Sequence, residues 1–465
     1  MNALICLATL FLASSAGQAQ ANAPQADPPW LIYSELMRDG TAFQILAARP
    51  GQRLELGTLE VLPGIEPYAR LSDDGRALFI ARHRQPNHAE RSATLYRFDL
   101  DTRRLTRISD TSDASPPLPL GPRAVAWIET HQIREVDEER LAAGELFGVE
   151  QSVQADLDGE RVELARFDHI YGAHFAGLTE QGIVLYVVSR QEAAFYLLPL
   201  SGSRVDRAAG PIRRALSRQP TVKAAIESRD ESHPPSGILR LARAPAGPFA
   251  RDFSVSGSTL FFGSLTGDRV TKALYALDLA VDDLDRAPDK AAGENGQDSA
   301  LDTAREATQL EATGERHPEP VTRQGSLFFT RAEGSDRERR LVSRVDLRGS
   351  LPLPAMADAM RLARQTWAST DRAARRQAEA NPSLTSDDAP LRRREVLRVR
   401  GQARVLAALP ERDILALQRR AANDSEPLKG GHAVELLWVD TARQTSERVS
   451  TVDIHRAFGF AEVTP

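Results

Sequence analysis

The segment Leu71-Ser72-Asp73-Asp74-Gly75-Arg76-Ala77-Leu78-Phe79-Ile80-Ala81 holds a complete hairpin signal. Asp74-Gly75 supplies a tight turn. Leu78 to Ala81 is a short apolar run of the kind that is buried on both faces. Downstream, Tyr96, Phe98 and Leu100 alternate with polar neighbours, as a half-buried strand does, and Asp101-Thr102 makes the next turn before Leu105. The unit therefore reads turn, strand, loop, strand, turn, strand.

The same grammar recurs along the chain. Gly182–Tyr186 is followed by Phe195–Leu200, Ser258–Phe262 by Leu274–Leu279, Ser326–Phe329 by Val342–Leu347, and Arg412–Ala416 by Leu436–Asp440. Two looser copies precede these. Trp30–Tyr33 leads to Phe43–Ala47 and Leu54–Gly57, and Ala124–Trp127 leads to Arg161–Ala165 after Asp158-Gly159. The strand anchors lie near Leu31, Leu78, Val125, Val184, Leu260, Leu327 and Ile414, with the first two intervals both 47 residues. A period near 45 residues with about four strands per unit is the signature of a β-propeller, whose blades must stack to bury their faces. The expectation is an all-β propeller of seven four-stranded blades, with six or eight open. The first copy lacks an innermost strand. Ile454–Val463, with Phe458 and Phe460 alternating, is expected to supply it and remove the exposed edge.

Between the repeats lie insertions, near 207–245, 280–315 and 350–395, expected to be helical or disordered. Glu135–Glu145 is charged and reads as a helix candidate. Leu353–Asn381 is amphipathic, with Met356, Met360, Ala363 and Trp367 on one face, and stops before Pro382. It is expected to pack on the propeller, or else to act as a lid or docking element.

The N-terminus carries an apolar segment, Ala3–Ala16, and an Ala19-Gln20-Ala21 cleavage signature. Residues 1–21 read as a signal peptide although no Lys or Arg precedes the apolar run. Residues 22–29 read as a linker, and 30–465 as one propeller domain. The apolar run is shorter than the ~20 residues of a membrane span, and no other segment resembles one. The single cysteine, Cys6, falls inside the leader. The exported chain then has no thiol, no disulfide and no cysteine ligand, which suits a periplasmic or secreted location.

Ser72-Asp73-Asp74-Gly75-Arg76, with the strand after it, resembles the TolB-like, WD-related propeller repeat, which reads Ser-Pro-Asp-Gly-Lys/Arg before an apolar strand. Asp73 stands where that repeat has proline. The later copies keep the strand pattern and an aspartate, at Asp278, Asp346 and Asp440. The resemblance implies the architecture and a tendency to bind proteins or ligands at the axial face. TolB has an additional N-terminal α/β domain. The first strand here starts at Trp30, which leaves no room for it, so a role in the Tol envelope system is not expected. Fold alone does not assign function.

Composition narrows the partners. The chain has 465 residues, a net charge of −5 and 6% aromatics, against nucleic acid and against an aromatic surface built for sugars. The basic run Arg392-Arg393-Arg394, with Arg398 and Arg400, sits beside Asp387 and Asp388 and leads into a strand. No Gly-x-Ser-x-Gly elbow is present; Gly263-Ser264-Leu265-Thr266-Gly267 has its serine misplaced and reads as a hairpin loop. His169 and His174 near a strand start are candidate metal ligands, as are His83 and His88 around Pro86-Asn87, but loop histidines explain both pairs. Asp282, Asp283 and Asp285 lack the glycine and distal glutamate of a calcium loop and read as a solvated charge run. Asp99, Asp278, Asp346 and Asp440 each end a strand, and are expected to accept hydrogen bonds from turn amides. No phosphate-binding glycine loop occurs. No catalytic, metal or cofactor-binding residue is therefore assigned. The favoured reading is a non-catalytic binding or scaffold propeller for a protein or envelope component. The alternative is a hydrolase or lyase with its site in the axial funnel.

Overall fold

In the computed structural model the described residues are 28–37, 39–63, 65–84, 92–134, 148–189, 192–199, 238–280, 306–314, 318–333, 336–347, 352–368, 391–420, 434–450 and 455–463. They form an all-β propeller. The strands are β1 (Trp30–Leu36), β2 (Ala42–Arg49), β3 (Gln52–Glu60), β4 (Tyr68–Leu71), β5 (Ala77–His83), β6 (Ser92–Asp99) and β7 (Arg104–Asp113). There follow β8 (Leu118–Pro119), β9 (Ala124–Arg134), β10 (Gly148–Leu157), β11 (Glu160–Leu178), β12 (Gly182–Ser189), β13 (Ala193–Pro199) and β14 (Leu239–Arg243). Next come β15 (Arg251–Ser256), β16 (Thr259–Leu265), β17 (Lys272–Asp278), β18 (Thr308–Gly314), β19 (Val321–Arg323), β20 (Ser326–Glu333) and β21 (Asp336–Leu347). Helix α1 (Leu353–Ala368) precedes β22 (Leu391–Arg400), β23 (Gln402–Leu409), β24 (Ile414–Arg420), β25 (Val434–Asp440), β26 (Thr445–Ser450) and β27 (His455–Ala461).

These strands make five four-stranded sheets and one seven-stranded sheet. The four-stranded sheets are β27-β1-β2-β3, β4 to β7, β15 to β18, β19 to β22 and β23 to β26, all antiparallel. The seven-stranded sheet runs β14-β13-β12-β11-β10-β9-β8. Its central strand β11 pairs with β10 through Glu160–Ile170 and with β12 through Ile170–Leu178. One long strand thus serves as an outer strand at its start and an inner strand at its end. The repeat reading placed Arg161–Ala165 directly after Ala124–Trp127; β10 intervenes between them in chain and sheet.

Apolar clusters lie between neighbouring sheets. Ile32, Phe43 and Ile45 meet Leu78, Ile80 and Phe98. Phe79 and Leu95 meet Val125 and Trp127. Val184 and Phe195 meet Leu260 and Phe262, Phe261 and Leu274 meet Leu327 and Phe329, and Phe328 meets Val405 and Leu417. Ala416 and Trp438 meet Leu31 and Tyr33, which returns to the first sheet. This explains why the second strand of each sheet is an unbroken apolar run. It is covered on both faces, and each buried Leu, Ile or Phe is worth about 1.5–3 kcal/mol. The chain closes as expected from Ile454–Val463. β27 pairs with β1 from Trp30↔Ala461 to Glu35↔His455.

The turn at Asp74-Gly75 lies between β4 and β5, as read. Gly75 has φ +71°, and a Cβ there would sit 2.9 Å from Ala461 Cβ on the closing strand. A side chain would strain the backbone and push against the seam. Ser72 Oγ donates to Asp74 Oδ1 at 2.7 Å, and the Ala77 amide donates to Ser72 Oγ at 3.0 Å, bracing the turn.

β14 and β18 fall inside the stretches read as insertions, and β22 begins inside one and runs beyond it. Each is the outermost strand of its sheet or lies at its end. Helix α1 packs on two of them. Met356 and Met360 are buried against Leu274, Leu310 and Val345, so the packed arrangement, not a free lid, is observed for Leu353–Ala368. The remainder of the expected helix to Asn381 lies outside the described residues, as do Glu135–Glu145 and Asp282, Asp283 and Asp285. Among the described residues, no helix is long and apolar enough to cross a membrane.

Candidate functional site

Each four-stranded sheet has one innermost strand, and the seven-stranded sheet contributes two, β8 and the end of β11. They neighbour one another around the axis in the order β27, β4, β8, β11, β15, β19, β23 and back to β27. These strands are short or bulged, and they enclose an axial cavity of ≈ 940 Å³. That size falls in the usual range of small-ligand sites.

The cavity is polar. Glu66 and Arg456 pair at 2.8 Å, with the Arg456 guanidinium over the Tyr68 ring at 5.4 Å. Arg404 reaches Asp252 at 3.7 Å and Glu319 at 3.5 Å. Asp252 and Glu319 hold left-handed backbone conformations, φ +56° and +46°. Gln418 Nε2 and His455 Nε2 lie 3.4 Å apart. Burial raises the Glu66 and Asp252 carboxyls above their ordinary range, against the pull of Arg456 and of Arg404 respectively. Arg70, on β4, also lines the cavity. Burial lowers its pKa, and no hydrogen bond or ion pair to Arg70 occurs among the described residues.

The histidines read from sequence separate. His174 lies within β11, lines the cavity and stacks on Tyr186 at 6.4 Å. His169 is on the same strand, but its side chain lies outside the described residues. Both are strand residues and not loop residues. His83 ends β5 and packs on Tyr68 with ring centroids 5.7 Å apart, so it is not in the hairpin loop; His88 lies outside the described residues. Among the described residues, no group of three His, Cys, Asp or Glu is placed to hold a metal ion.

The strand-end aspartates mostly do what was expected. The amides of Thr102, Ala280 and Arg443 donate to Asp99, Asp278 and Asp440 at 2.8, 2.9 and 2.9 Å. Asp346 differs. It accepts from the Ser326 hydroxyl at 2.8 Å and from Arg344 Nε at 2.5 Å, because it is buried beside an arginine that also reaches Asp413. Gly263, Ser264 and Leu265 are the end of β16, not a loop, and Ser264 is buried. Arg392–Arg394 begin β22, where Arg393 is buried in an ion pair with Glu311 at 2.7 Å.

One arrangement mimics a hydrolase. Ser152 Oγ lies 2.7 Å from His131 Nε2, and Glu129 Oε1 lies 4.0 Å from His131 Nδ1. The order is that of nucleophile, base and acid. Yet Ser152 is 0% exposed, accepts a hydrogen bond from Gln154 Nε2 at 2.7 Å, and does not line the axial cavity. Glu129 is bridged to Arg161. A hydroxyl sealed between strands does not reach a substrate carbonyl. The set is a polar network across β9, β10 and β11.

Sequence reasoning did not single out Glu66, Arg70, Asp252, Glu319, Arg404 or Arg456. A signal for them exists. All but Arg456, which lies on the closing strand β27, sit at, or a few residues before, the short segment N-terminal to the turn that precedes a conspicuous apolar strand, as Tyr68–Leu71 precedes Asp74-Gly75. That segment is the innermost strand, and its side chains face the axis.

No family model matches the sequence, and no curated protein matches it. Similarity is found to solved structures. TolB from Acinetobacter baumannii aligns over 68% of this chain and 60% of its own, with 10% identity and a TM-score of 0.38. A prolyl endopeptidase aligns over 92% of this chain and 50% of its own, with 10% identity and a TM-score of 0.44. Apo AztD from Citrobacter koseri aligns over 93% and 98%, with 10% identity and a TM-score of 0.34. The chain thus spans about 60% of that TolB and half of that endopeptidase.

Proposed function

We propose that this chain is an exported, non-catalytic propeller that holds a protein or envelope component where the axial cavity opens. Residues 1–21 act as its leader, 22–29 as a linker and 30–465 as a single domain. Two further features support seven blades within that domain: the double pairing of β11, and an apolar cluster between the two halves of the seven-stranded sheet, where Val153 and Leu164 meet Leu185 and Leu198. The TolB-like repeat at Ser72–Arg76 supports binding at the axial face.

One observation carries the reading: in the cavity Glu66, Asp252 and Glu319 are each tied to an arginine. A general base needs a free lone pair beside the proton it takes. Carboxylates held by guanidinium groups instead shape a polar recognition surface. The test is capture from an envelope fraction with the wild-type chain, with Ala69→Trp, which fills the cavity, and with Arg251→Glu, which reverses an exposed charge on its wall. Partner capture by wild type that weakens in both variants is expected. Equal capture by all three, or by none, overturns the reading.

His174 on the wall and the raised Asp252 favour a second reading, a hydrolase or lyase using the same cavity. Turnover of an ester, peptide or glycoside panel that His174→Ala abolishes would establish it.

A further inference from the structure

The axial cavity contains four arginines, Arg70, Arg251, Arg404 and Arg456, against three carboxylates. A second cavity of ≈ 360 Å³ adjoins it, sharing Glu319, Arg404 and Gln418. It adds four cations, Lys272, Arg331, Arg340 and Arg420, and no further carboxylate. Arg331 is paired with Glu311 and Glu395, so the joined lining carries a moderate excess of cations over carboxylates, in a chain whose net charge is −5. A concave basic site in an acidic molecule concentrates anions locally.

Two of these cations, Arg70 and Arg420, have no hydrogen bond or ion pair among the described residues, whereas Arg251 acts electrostatically on Asp252. Arg251 and Arg420 are exposed and solvated. Arg70 is different: it is half-buried on β4, deep enough that burial disfavours its charged form. A guanidinium withdrawn from water without a partner costs folding free energy, and it does not escape by losing its proton. Its five donors in a planar fork match a carboxylate or phosphate in two parallel hydrogen bonds.

We propose that Arg70 anchors an anion site that takes a small organic anion bearing two or more carboxylate or phosphate groups. One group docks on the Arg70 fork, and the others lie along the basic wall towards Arg404 and the adjoining cavity. This inference rests on the reading that the axial cavity is the binding site.

Citrate and inorganic pyrophosphate serve as the two probes and glycerol as the neutral control, in calorimetric titration of the purified full chain. At least one anion is expected to bind, and more weakly as salt rises. Glycerol is expected not to bind. Citrate alone points to a carboxylate ligand, pyrophosphate alone to a phosphate ligand. Arg70→Met is expected to weaken binding about tenfold or more, and Arg70→Lys by less, since it keeps the charge and loses the fork. Without anion, Arg70→Met is expected to unfold at the wild-type temperature or higher; added anion no longer raises its midpoint. Absence of binding by both anions, or equal binding to Arg70→Met, overturns the proposal. Envelope capture separates the two levels. Anion binding lost in Arg70→Met while Ala69→Trp still captures its partner leaves the anion site standing and removes the docking reading. Capture that depends on the cavity, with no anion bound, does the reverse.

Discussion

Arg393 and Glu311 show how the molecule tolerates charge in its interior. Their side chains are 1% and 3% exposed, and Arg393 also donates to the Met360 carbonyl at 3.2 Å. Both oxygens of Glu311 accept from Arg393, at 2.7 and 3.2 Å. Removing Arg393 leaves the buried Glu311 with only the longer contact to Arg331 at 3.6 Å, so Arg393→Met is expected to cost about 3 kcal/mol in urea denaturation. Arg393→Met with Glu311→Met is expected to recover most of that loss; an unchanged single variant would contradict the account. Tyrosines carry the pH dependence at the alkaline end. Burial pushes the Tyr186 and Tyr196 phenols up to about 12 from 10.0. A raised folded pKa means that the neutral phenol's contribution is complete below pH 10 and is lost as pH rises through about 12. Tyr186→Phe is expected to remove one late-titrating phenol in an ultraviolet titration and to move alkaline unfolding to higher pH.

At the scale of the element, the inner, middle and outer strands of a sheet obey different physics. The second strand is covered on both faces and is apolar throughout, as in Leu31–Tyr33, Leu78–Ala81 and Leu260–Phe262. The outermost strand has a free edge, and its residues are largely exposed, as along β3 and β26. The sequence of such a strand carries a weaker signal than that of a central strand. This is why β14 and β18 lie unnoticed in polar stretches, while β22 reads only as a strand following the basic run at Arg392. Helix α1 is the exception that covers an outer edge. Met360 is 0% exposed between the helix and the sheets. Met360→Ala is expected to cost about 2–5 kcal/mol, read as a lowered urea midpoint. A midpoint within error of wild type would mean that the helix is dispensable to the packing.

For the whole molecule, the decisive contact is the seam between the two ends of the chain. β27 caps β1, so the first sheet presents no inner edge. A chain ending at residue 453 is expected to lose its single cooperative melting transition and to form oligomers through the open edge of β1. Adding a peptide of residues 454–465 is expected to return the elution volume to that of the full chain in size-exclusion chromatography. A truncated chain that melts like the full one would refute closure by β27. The ring logic was legible in advance because it depends on local signals. Apolar runs, Asp-Gly turns and the alternation of Phe458 and Phe460 follow from a residue's own backbone and burial, and these repeat every blade. The double duty of β11 was not legible, since a strand that changes partners midway looks in sequence like any long strand. Nor were the cavity residues, because Arg70, Asp252, Glu319, Arg404 and Arg456 come from different sheets and meet only when the sheets close around an axis. Sequence by itself determined the repeat, the direction of every central strand's burial and the strand that shuts the ring, since each is a property of a few neighbouring residues. Tertiary structure alone decided which charges face one another across the axis, and so left Arg70 lining the cavity with no carboxylate paired to it among the described residues, because pairing depends on distances between blades that no linear spacing encodes.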